Sequence, residues 1–410
     1  VASLRSALTH LQHDRSARGF QHIASFHGAP AMCTDHHGHK VACCHHGMPT
    51  FPHFHRLLTV QFENALRHHG ASSAVPYWEW TKPITKLPDL FGQPSYFNGR
   101  LRKTVANPFA SGSIDTLQNK HTSRNPLPEL FEDPQFGEHT TLFKQAIWAL
   151  EQDNFCDFEV QFELLHNAMH LLIGGMEEFS MSNLEYSAYD PFFFIHHSTM
   201  DRLWAIWQKL QRHRGKPYNI ANCAIQLMKK PIAPFSFNSS VNLDDVTRSH
   251  SRPIDSFDFQ NFDYNYDNLD FGGMNTQQLD EYIKNQANKD RVVAGFHLYG
   301  IKTSAAVKFY VCLGKTETRK HQDCSTFAGE FAILGGPSEM EWAFDRLYKY
   351  DITDVIDSLG VQATDNVWIE MDITALNGHK IDRDTFALPS LIFYPKPGKP
   401  HHAAAKKKKV

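Results

Sequence analysis

Hydrophobic residues in the first two-thirds of the chain recur with the period of an α-helix. Residues 51–70 carry apolar side chains on one face, and Gly70 is a suitable residue to end such a helix. Another helix begins at Asp190-Pro191, where an N-cap carboxylate precedes a proline at the first helical position, and it runs through Trp207. The same period predicts helices over residues 4–11, 142–150 and 158–173.

The pattern changes near residue 291, where short apolar segments begin to alternate with turn residues such as Asn377-Gly378. The signal is weak from residue 210 to 290, and residues 238–270 predict long loops with short helices. We expect β-strands over residues 292–298, 305–312, 327–334, 367–374 and 391–394. The chain is thus predicted to be an α+β multidomain protein: a mainly α-helical domain 1–290, a β-rich domain 291–395, and a linker and tail 396–410.

Length and charge agree with this division and argue against two classes of partner. A chain of 410 residues exceeds the size at which one hydrophobic core stops growing, so two domains are expected. A formal net charge of -3 offers no basic surface for nucleic acid. No apolar run approaches the roughly 18 residues that cross a bilayer, so a membrane span is not expected.

Seven cysteines spread over both halves of the chain are typical of an oxidised, extracellular protein with structural disulfides. Connectivity is not provable from sequence, and the odd count requires another explanation for one cysteine. The spacing suggests two local pairs and one longer bridge, namely Cys33–Cys43, Cys312–Cys324 and Cys156–Cys223.

The first residue and one sequon also bear on location. The chain starts at Val1 without a charged-then-apolar leader, so we expect either a removed signal peptide or a piece of a longer chain. Asn238-Ser239-Ser240 is a glycosylation sequon that would be used in a secreted protein. Such a triplet also arises by chance, and the sequence leaves both readings open.

One cluster of histidines has the spacing of a metal chelate. His166 and His170 are four residues apart on a predicted helix, so their imidazoles leave the same face as neighbours. A third donor is available from His196 or His197 on the next helix. Phe193 shares the apolar stripe of that helix with His197, so we expect His197 to face the core and His196 to point sideways. Such pairs are often incidental, and this cluster alone is not decisive.

A second cluster is built in a similar way. His27 ends a helix-like segment, His46 lies in a loop, and His55 starts the next predicted helix. Two sets of three histidines imply two metal ions, and ligation by imidazole alone suits copper, with zinc as the competitor. Zinc normally takes four closed ligands, or three beside a catalytic glutamate, and no HExxH motif is present. The absence of a carboxylate ligand argues against mononuclear iron.

These residues resemble a known family, the functional units of molluscan haemocyanin. The likeness extends to about residue 395 and includes Leu334-Gly335-Gly336 and residues 341–345 of the β-rich region. The motif around the second histidine cluster is also shared with tyrosinases and catechol oxidases. The segments that carry the resemblance are 20–27, 43–56, 162–175 and 190–207.

The resemblance implies a type 3 dicopper centre in a helical domain with a four-helix-bundle core, followed by a C-terminal β-sandwich. It also implies a thioether between Cys44 and His46, which would account for the odd cysteine, and a leucine of the sandwich over the site, with Leu334 or its neighbour as the candidate. The implied ligands are His27, His46 and His55 for copper A, and His166, His170 and His197 for copper B.

The function implied by the resemblance is reversible binding of dioxygen, held between the copper ions as a bridging peroxide. Such units belong to secreted respiratory proteins of the haemolymph, which string several units together and form large oligomers. Diphenol oxidation of the catechol oxidase or tyrosinase kind, latent beneath the β-domain, is the alternative, because it uses the same six ligands. In that case Asn167, Asp157 and Glu159 would order a water, although the two acids equally suit helix capping or pairing. A storage protein that has lost copper is a third reading.

Overall fold

A computed structural model gives the fold of the chain. The residues that it describes are 1–34, 38–118, 120–132, 139–216, 225–235, 244–298, 304–314, 324, 326–334, 346–361, 367–376, 378–381 and 387–397. Among these residues no helix is long and apolar enough to cross a membrane.

The part before residue 291 is mainly helical, as the hydrophobic period predicts. Four of its helices, α3, α6, α7 and α8, pack against one another. The helices are α1 (Ala2–His13), α2 (Phe20–Ala24), α3 (Phe51–His68), α4 (Asp89–Gly92), α5 (Glu129–Glu132), α6 (Thr141–Glu151), α7 (Phe155–Gly174), α8 (Phe192–His213), α9 (Ile225–Met228), α10 (Asp245–Ser249) and α11 (Thr276–Ala287). Short antiparallel ribbons lie between them, formed by β1 (Cys33–Thr34) with β2 (Lys40–Val41), β3 (Ser95–Asn98) with β4 (Lys103–Ala106), and β5 (Ser113–Ile114) with β6 (Lys120–His121).

Local side chains set the starts of the long helices. The Asn154 side chain accepts a hydrogen bond from the Asp157 N–H and caps α7, which therefore begins three residues before the predicted start. Asp190 caps α8 as predicted, because its carboxylate accepts from the N–H of Phe192 at 2.9 Å. Gly175, with φ +62°, follows the last residue of α7 and ends it.

Helix α11 lies in the region where the sequence signal is weak. Asn275 and Gln278 form a reciprocal capping box at its start, and this pair is the local signal that identifies the helix. Only Leu279, Asp280 and Ile283 of the helix are buried, which explains why its hydrophobic period is faint.

The residues after 290 form two antiparallel sheets. Their order is β10–β7–β13 in a three-stranded sheet and β12–β11–β8–β9 in a four-stranded sheet. All five predicted strands are present within one residue of their predicted ends, whereas β10, β12 and the helix α12 are additional. The elements are β7 (Arg291–His297), β8 (Ala305–Leu313), β9 (Thr326–Ile333), β10 (Leu347–Asp351), α12 (Thr353–Leu359), β11 (Val367–Ala375), β12 (Lys380–Ile381) and β13 (Ser390–Tyr394).

The helical part and the sandwich each have an apolar core, and the two cores exchange residues. Leu164 on α7 packs into the core of the sandwich, while Leu334, just after β9, packs into the helical core. As a result α7 is covered on both sides, and 17 of its 20 residues are buried. The arginine Arg291 on β7 also joins the two parts, because it forms a buried ion pair with Glu151 on α6.

The cysteines follow the suggested pairing as far as the structure describes them. Disulfides join Cys33 to Cys43 and Cys312 to Cys324. Cys156 is disulfide-bonded, and its predicted partner, Cys223, lies outside the described residues. The sequon at Asn238 and the lysine-rich tail also lie outside them.

Candidate metal centre

All six predicted ligands are brought to one place in the helical core. Each has an exposed fraction of 5% or less. The supporting elements differ, because His27 follows α2 and His46 precedes α3, whereas the other four side chains project from helices. These are His55 on α3, His166 and His170 on α7, and His197 on α8.

The ring nitrogens converge in two sets that face each other. In the first set the Nε2 atoms of His27 and His46 lie 3.2 Å apart. In the second set the Nε2 atom of His166 lies 2.9 Å from that of His170 and 3.3 Å from that of His197. The His55 and His197 rings stack across the two sets, with centroids 4.3 Å apart.

The outward-facing nitrogens determine where the ring protons are. Four of the six rings direct Nδ1 at an oxygen that only accepts, so Nδ1 carries the hydrogen and Nε2 keeps a lone pair that points inward. These bonds run from His27 to the Leu184 carbonyl (3.1 Å), from His55 to the Phe51 carbonyl (2.9 Å), from His170 to the Met181 carbonyl (2.6 Å), and from His166 to the Asn167 side-chain oxygen (2.8 Å).

His46 is oriented by a charged group instead. Its Nδ1 lies 3.5 Å from a carboxylate oxygen of Glu163 on α7. The same oxygen accepts a hydrogen bond from the Gly47 N–H at 2.7 Å, so the carboxylate holds the loop directly, whereas Nδ1 of His46 lies close to it without a hydrogen bond.

The convergence of these nitrogens is unfavourable in a metal-free core and favourable when a cation is bound between them. The Nε2 lone pairs of His166 and His170 face each other at 2.9 Å with no hydrogen between them, and such lone pairs repel. The Nε2 atom of His55 is buried without a hydrogen-bond partner among the described residues, which is costly unless a metal takes it. A metal ion removes both penalties.

Burial also keeps these rings in the form that binds metal. It lowers the pKa of His170 to about 3 and holds the pKa values of His27, His55, His166 and His197 well below their usual range. Neighbouring imidazoles add to this effect. A neutral imidazole is the protonation state that coordinates a metal.

The structure adds a seventh histidine to the site. His196, expected to point sideways, is fully buried, and its ring centroid lies 4.9 Å from those of both His166 and His170. Nitrogens of His166, His170 and His196 form one group that is able to hold an ion, and those of His55, His166 and His197 form another. The only feature of the sequence that indicated this seventh histidine was that His196 adjoins the predicted ligand His197.

Aromatic side chains surround the ligands. The Phe193 ring centroid is 4.8 Å from that of His27 and 4.2 Å from that of His197, and Phe51 approaches His55 at 4.6 Å. Phe162 packs on Phe51, whereas Phe194 stacks on Phe62 in the core behind the site. Of Phe162, Phe193 and Phe194, Phe193 lies against the ligands themselves.

The groups that an oxidase would need are engaged elsewhere. Asp157 is exposed and lies in the first turn of α7, where its carboxylate accepts from Asn154. Glu159 is buried and forms an ion pair with Arg346 of the second domain. The side-chain oxygen of Asn167 accepts from its neighbour His166. These contacts agree with the capping and pairing roles that the sequence allowed for the two acids.

Two further residues were predicted to belong to the site, Cys44 and Leu334. Cys44 is buried and is not in a disulfide, and it stands two residues before His46. Burial raises the pKa of its thiol well above the usual range, so the folded chain presents no thiolate there. Leu334 is 6% exposed and reaches into the helical core.

Two family models match the chain. Residues 17–210 match the common central domain of tyrosinase, and residues 286–395 match the haemocyanin beta-sandwich. The chain is 48% identical to the Hemocyanin 2-c chain of Megathura crenulata, over 97% of this chain and 94% of that one. It is 47% identical to the beta-C chain unit D hemocyanin of Helix pomatia, over 96% and 94%. It spans only 12% of the length of Hemocyanin 2 of Megathura crenulata, at 48% identity over 97% of this chain.

Solved structures give the same picture of the fold. Deoxygenated hemocyanin from Rapana thomasiana superposes with a TM-score of 0.89 at 46% identity, covering 96% of each chain. A functional unit of Octopus hemocyanin gives 0.85 at 43% identity, again over 96% of each. An Aspergillus oryzae pro-tyrosinase shares the fold, with a TM-score of 0.70 at 15% identity over 97% of this chain and 89% of that one.

Proposed function

The chain belongs to the molluscan haemocyanins, and from this premise we propose that it binds dioxygen reversibly at a pair of copper ions. The observation that carries the proposal is the convergence of buried imidazole nitrogens in two facing sets. The unit is one functional unit of a larger oxygen carrier, since the chain corresponds to 12% of the length of Hemocyanin 2. We place the boundary between the helical domain and the β-sandwich at residues 290/291, and the end of the sandwich at residue 395.

The ligands of the two ions follow from the two sets. The nitrogens of His27, His46 and His55 form one compact group, which we assign to copper A. We assign His166, His170 and His197 to copper B, because Nε2 of His166 lies within 3.3 Å of the Nε2 atoms of the other two. We choose His197 over His196 because its Nε2 lies near that of His166 while its ring stacks on His55 of the other set.

Bound copper supplies the reversible one-electron exchange with dioxygen, and the protein keeps that exchange reversible. The Nδ1–H groups of His27, His55 and His170 point away from the centre toward backbone oxygens, so they are not placed to protonate bound oxygen. Phe51 and Phe193 line the space between the ligands and exclude water. Leu334 covers the site from the second domain.

Three further features complete the proposal. A thioether between Cys44 and His46 fixes the His46 ring, and Asn238 carries a glycan. The protein works in the haemolymph with other units of the same kind, and its disulfides are those expected of a secreted chain.

Absorption spectroscopy of the copper-loaded protein tests this function. We expect an absorption band that requires both copper and oxygen, vanishes under argon, returns in air and survives added catechol with little quinone. A band that collapses on catechol with sustained turnover, at the roughly 1–10³ per second usual for enzymes, would instead make the chain a diphenol oxidase. No oxygen-dependent band at full copper loading would refute both functions.

A further inference from the structure

Three charged side chains are buried together where the second domain meets α7. Arg346, just before β10, donates from Nη1 to Glu163 at 2.8 Å and from Nη2 to Glu159 at 2.6 Å. The side chains are 6%, 2% and 1% exposed, respectively. Burying an arginine and two carboxylates is costly unless geometry and hydrogen bonding compensate, so the group is a candidate for a role beyond holding the domains together.

Glu163 connects this group to a predicted copper ligand. One of its oxygens accepts from Arg346, and the other accepts from the Gly47 N–H and lies 3.5 Å from Nδ1 of His46. A single carboxylate thus touches the second domain on one side and the His46 loop on the other.

The backbone of His46 is fixed less firmly than that of the other ligands, and the proposed thioether ties its ring only to Cys44 of the same loop. His55, His166 and His170 project from long helices, which fix their backbones. His46 stands in a loop between β2 and α3, and its neighbour Gly47 has φ +68°. Nδ1 of His27, the other ligand outside a helix, is within 3.1 Å of a backbone carbonyl of the helical part.

We propose that Arg346 is a positioning residue for the copper A ligand His46 and acts through Glu163. It fixes the carboxylate so that this group attracts the Nδ1 proton of His46 and keeps Nε2 directed at His27. Through this contact the second domain supports the copper A ligand His46. This inference rests on the proposed function, because it assumes that the metal bound by these histidines is copper.

The test compares copper retention in Arg346→Met with a matched control. Arg291→Met removes another buried arginine from the same domain contact, where its two N–H groups donate to Glu151 at 2.7 and 2.6 Å. Loss of a partner that orients a metal ligand weakens binding roughly 10- to 100-fold. We therefore expect Arg346→Met to lose half of its copper on dialysis against a competing chelator, whereas wild type and Arg291→Met retain it.

Paramagnetic resonance shows whether the loss occurs at one ion of the pair. The remaining oxidised copper gives the paramagnetic resonance signal of an isolated ion, which a coupled pair lacks. Glu163→Gln, which keeps an oxygen for Gly47 but no charge for Arg346, should show the same half-loss. Arg346→Lys should restore part of the copper, since an ammonium can reach one carboxylate but not both.

The outcomes separate this inference from the proposed function. If Arg346→Met and Arg291→Met lose equal amounts of copper, Arg346 acts only as a general contact between the domains and the proposal is wrong. Full retention of copper in both Arg346→Met and Glu163→Gln would also overturn it. If circular dichroism shows that Arg346→Met does not fold, the copper retention of Glu163→Gln and Arg346→Lys tests the proposal instead. A wild type that keeps its copper but shows no oxygen-dependent band would refute the function while leaving the comparison of copper retention valid.

Discussion

Single residues show how far local sequence spacing determines the site. The pair His166 and His170 was predicted to converge because helix geometry fixes neighbours four positions apart, and their Nε2 atoms do lie 2.9 Å apart. Glu163 was missed, because its contact with Gly47 joins residues 116 positions apart and nothing in the local sequence encodes it. The choice between His196 and His197 also depends on tertiary packing and stays a prediction.

The thioether between Cys44 and His46 makes a prediction at this scale. Its formation removes one hydrogen from the thiol and one from the ring, with copper and dioxygen as oxidant. The mature chain should therefore weigh two hydrogen atoms less than its three disulfides account for, and Cys44 should resist alkylation even in denaturant. A Cys44→Ser variant provides the control mass. A thiol that alkylates fully once the chain is unfolded would show that no bond has formed.

Helices and strands were predictable wherever one face is buried and the other is not. Strand β11 matches its prediction because its residues alternate between buried and half-buried, as expected for a sheet with one face in the core. Its partner β8 is buried along most of its length and was predicted as a short apolar segment. Helix α11 escaped prediction because it buries only three residues. Besides the apolar contacts of Leu279 and Ile283, a charge contact attaches it to the body of the protein, since Asp280 accepts from Arg214 at the end of α8 at 2.6 Å. Asp280 also accepts from Lys284 of the same helix at 2.6 Å.

That attachment should depend on pH. Burial alone would raise the pKa of Asp280, but hydrogen bonds from Lys284 and Arg214 outweigh it and hold the pKa below its ordinary value. The carboxylate therefore stabilises the fold above pH of about 3.8 and loses this contribution as the pH falls through the lower folded pKa. We expect Asp280→Asn to lower the free energy of unfolding by about 1–2 kcal/mol at pH 7, with the difference shrinking below pH of about 3.8.

Urea unfolding of the metal-free protein, followed by circular dichroism at several pH values, checks this. Asp245→Asn on the short helix α10 is a suitable control, because it changes the charge equally elsewhere in the helical part. A deficit of Asp280→Asn that is the same at pH 7 and at pH 3 would contradict the assignment.

At the scale of the whole molecule, the division into a helical part and a sandwich was predictable, but their interlocking was not. The change of hydrophobic period marks where the second fold begins, but no local pattern indicates that Leu164 enters the sandwich. The position of Leu334 in the helical core was expected only from the family resemblance. Contacts between the two parts depend on the shapes of their folded surfaces. A local hydrophobic pattern contains no information about those shapes.

Leu334→Ala tests the cover proposed for the site. Removing the side chain leaves a cavity and should destabilise the protein by about 2–5 kcal/mol, and it should also admit catechol, so that quinone forms faster than in wild type. Leu298→Ala is the matched control, because Leu298 is likewise 6% exposed but lies in the core of the sandwich. Equal rates of quinone formation in the two variants would show that Leu334 does not guard the copper ions.

The double burial of α7 also limits how this protein evolves. A surface helix such as α1, with 4 of its 12 residues buried, can drift by accepting changes on its free side. Helix α7, with 17 of 20 buried, has almost no free side: changes are judged on one face by ligand geometry and on the other by the fit of the sandwich. A change acceptable to one part is rarely acceptable to the other. The sequence of α7 should therefore change little among related proteins, while the exposed surfaces of the other helices diverge. Substitutions that alter the behaviour of the protein should accumulate first outside α7.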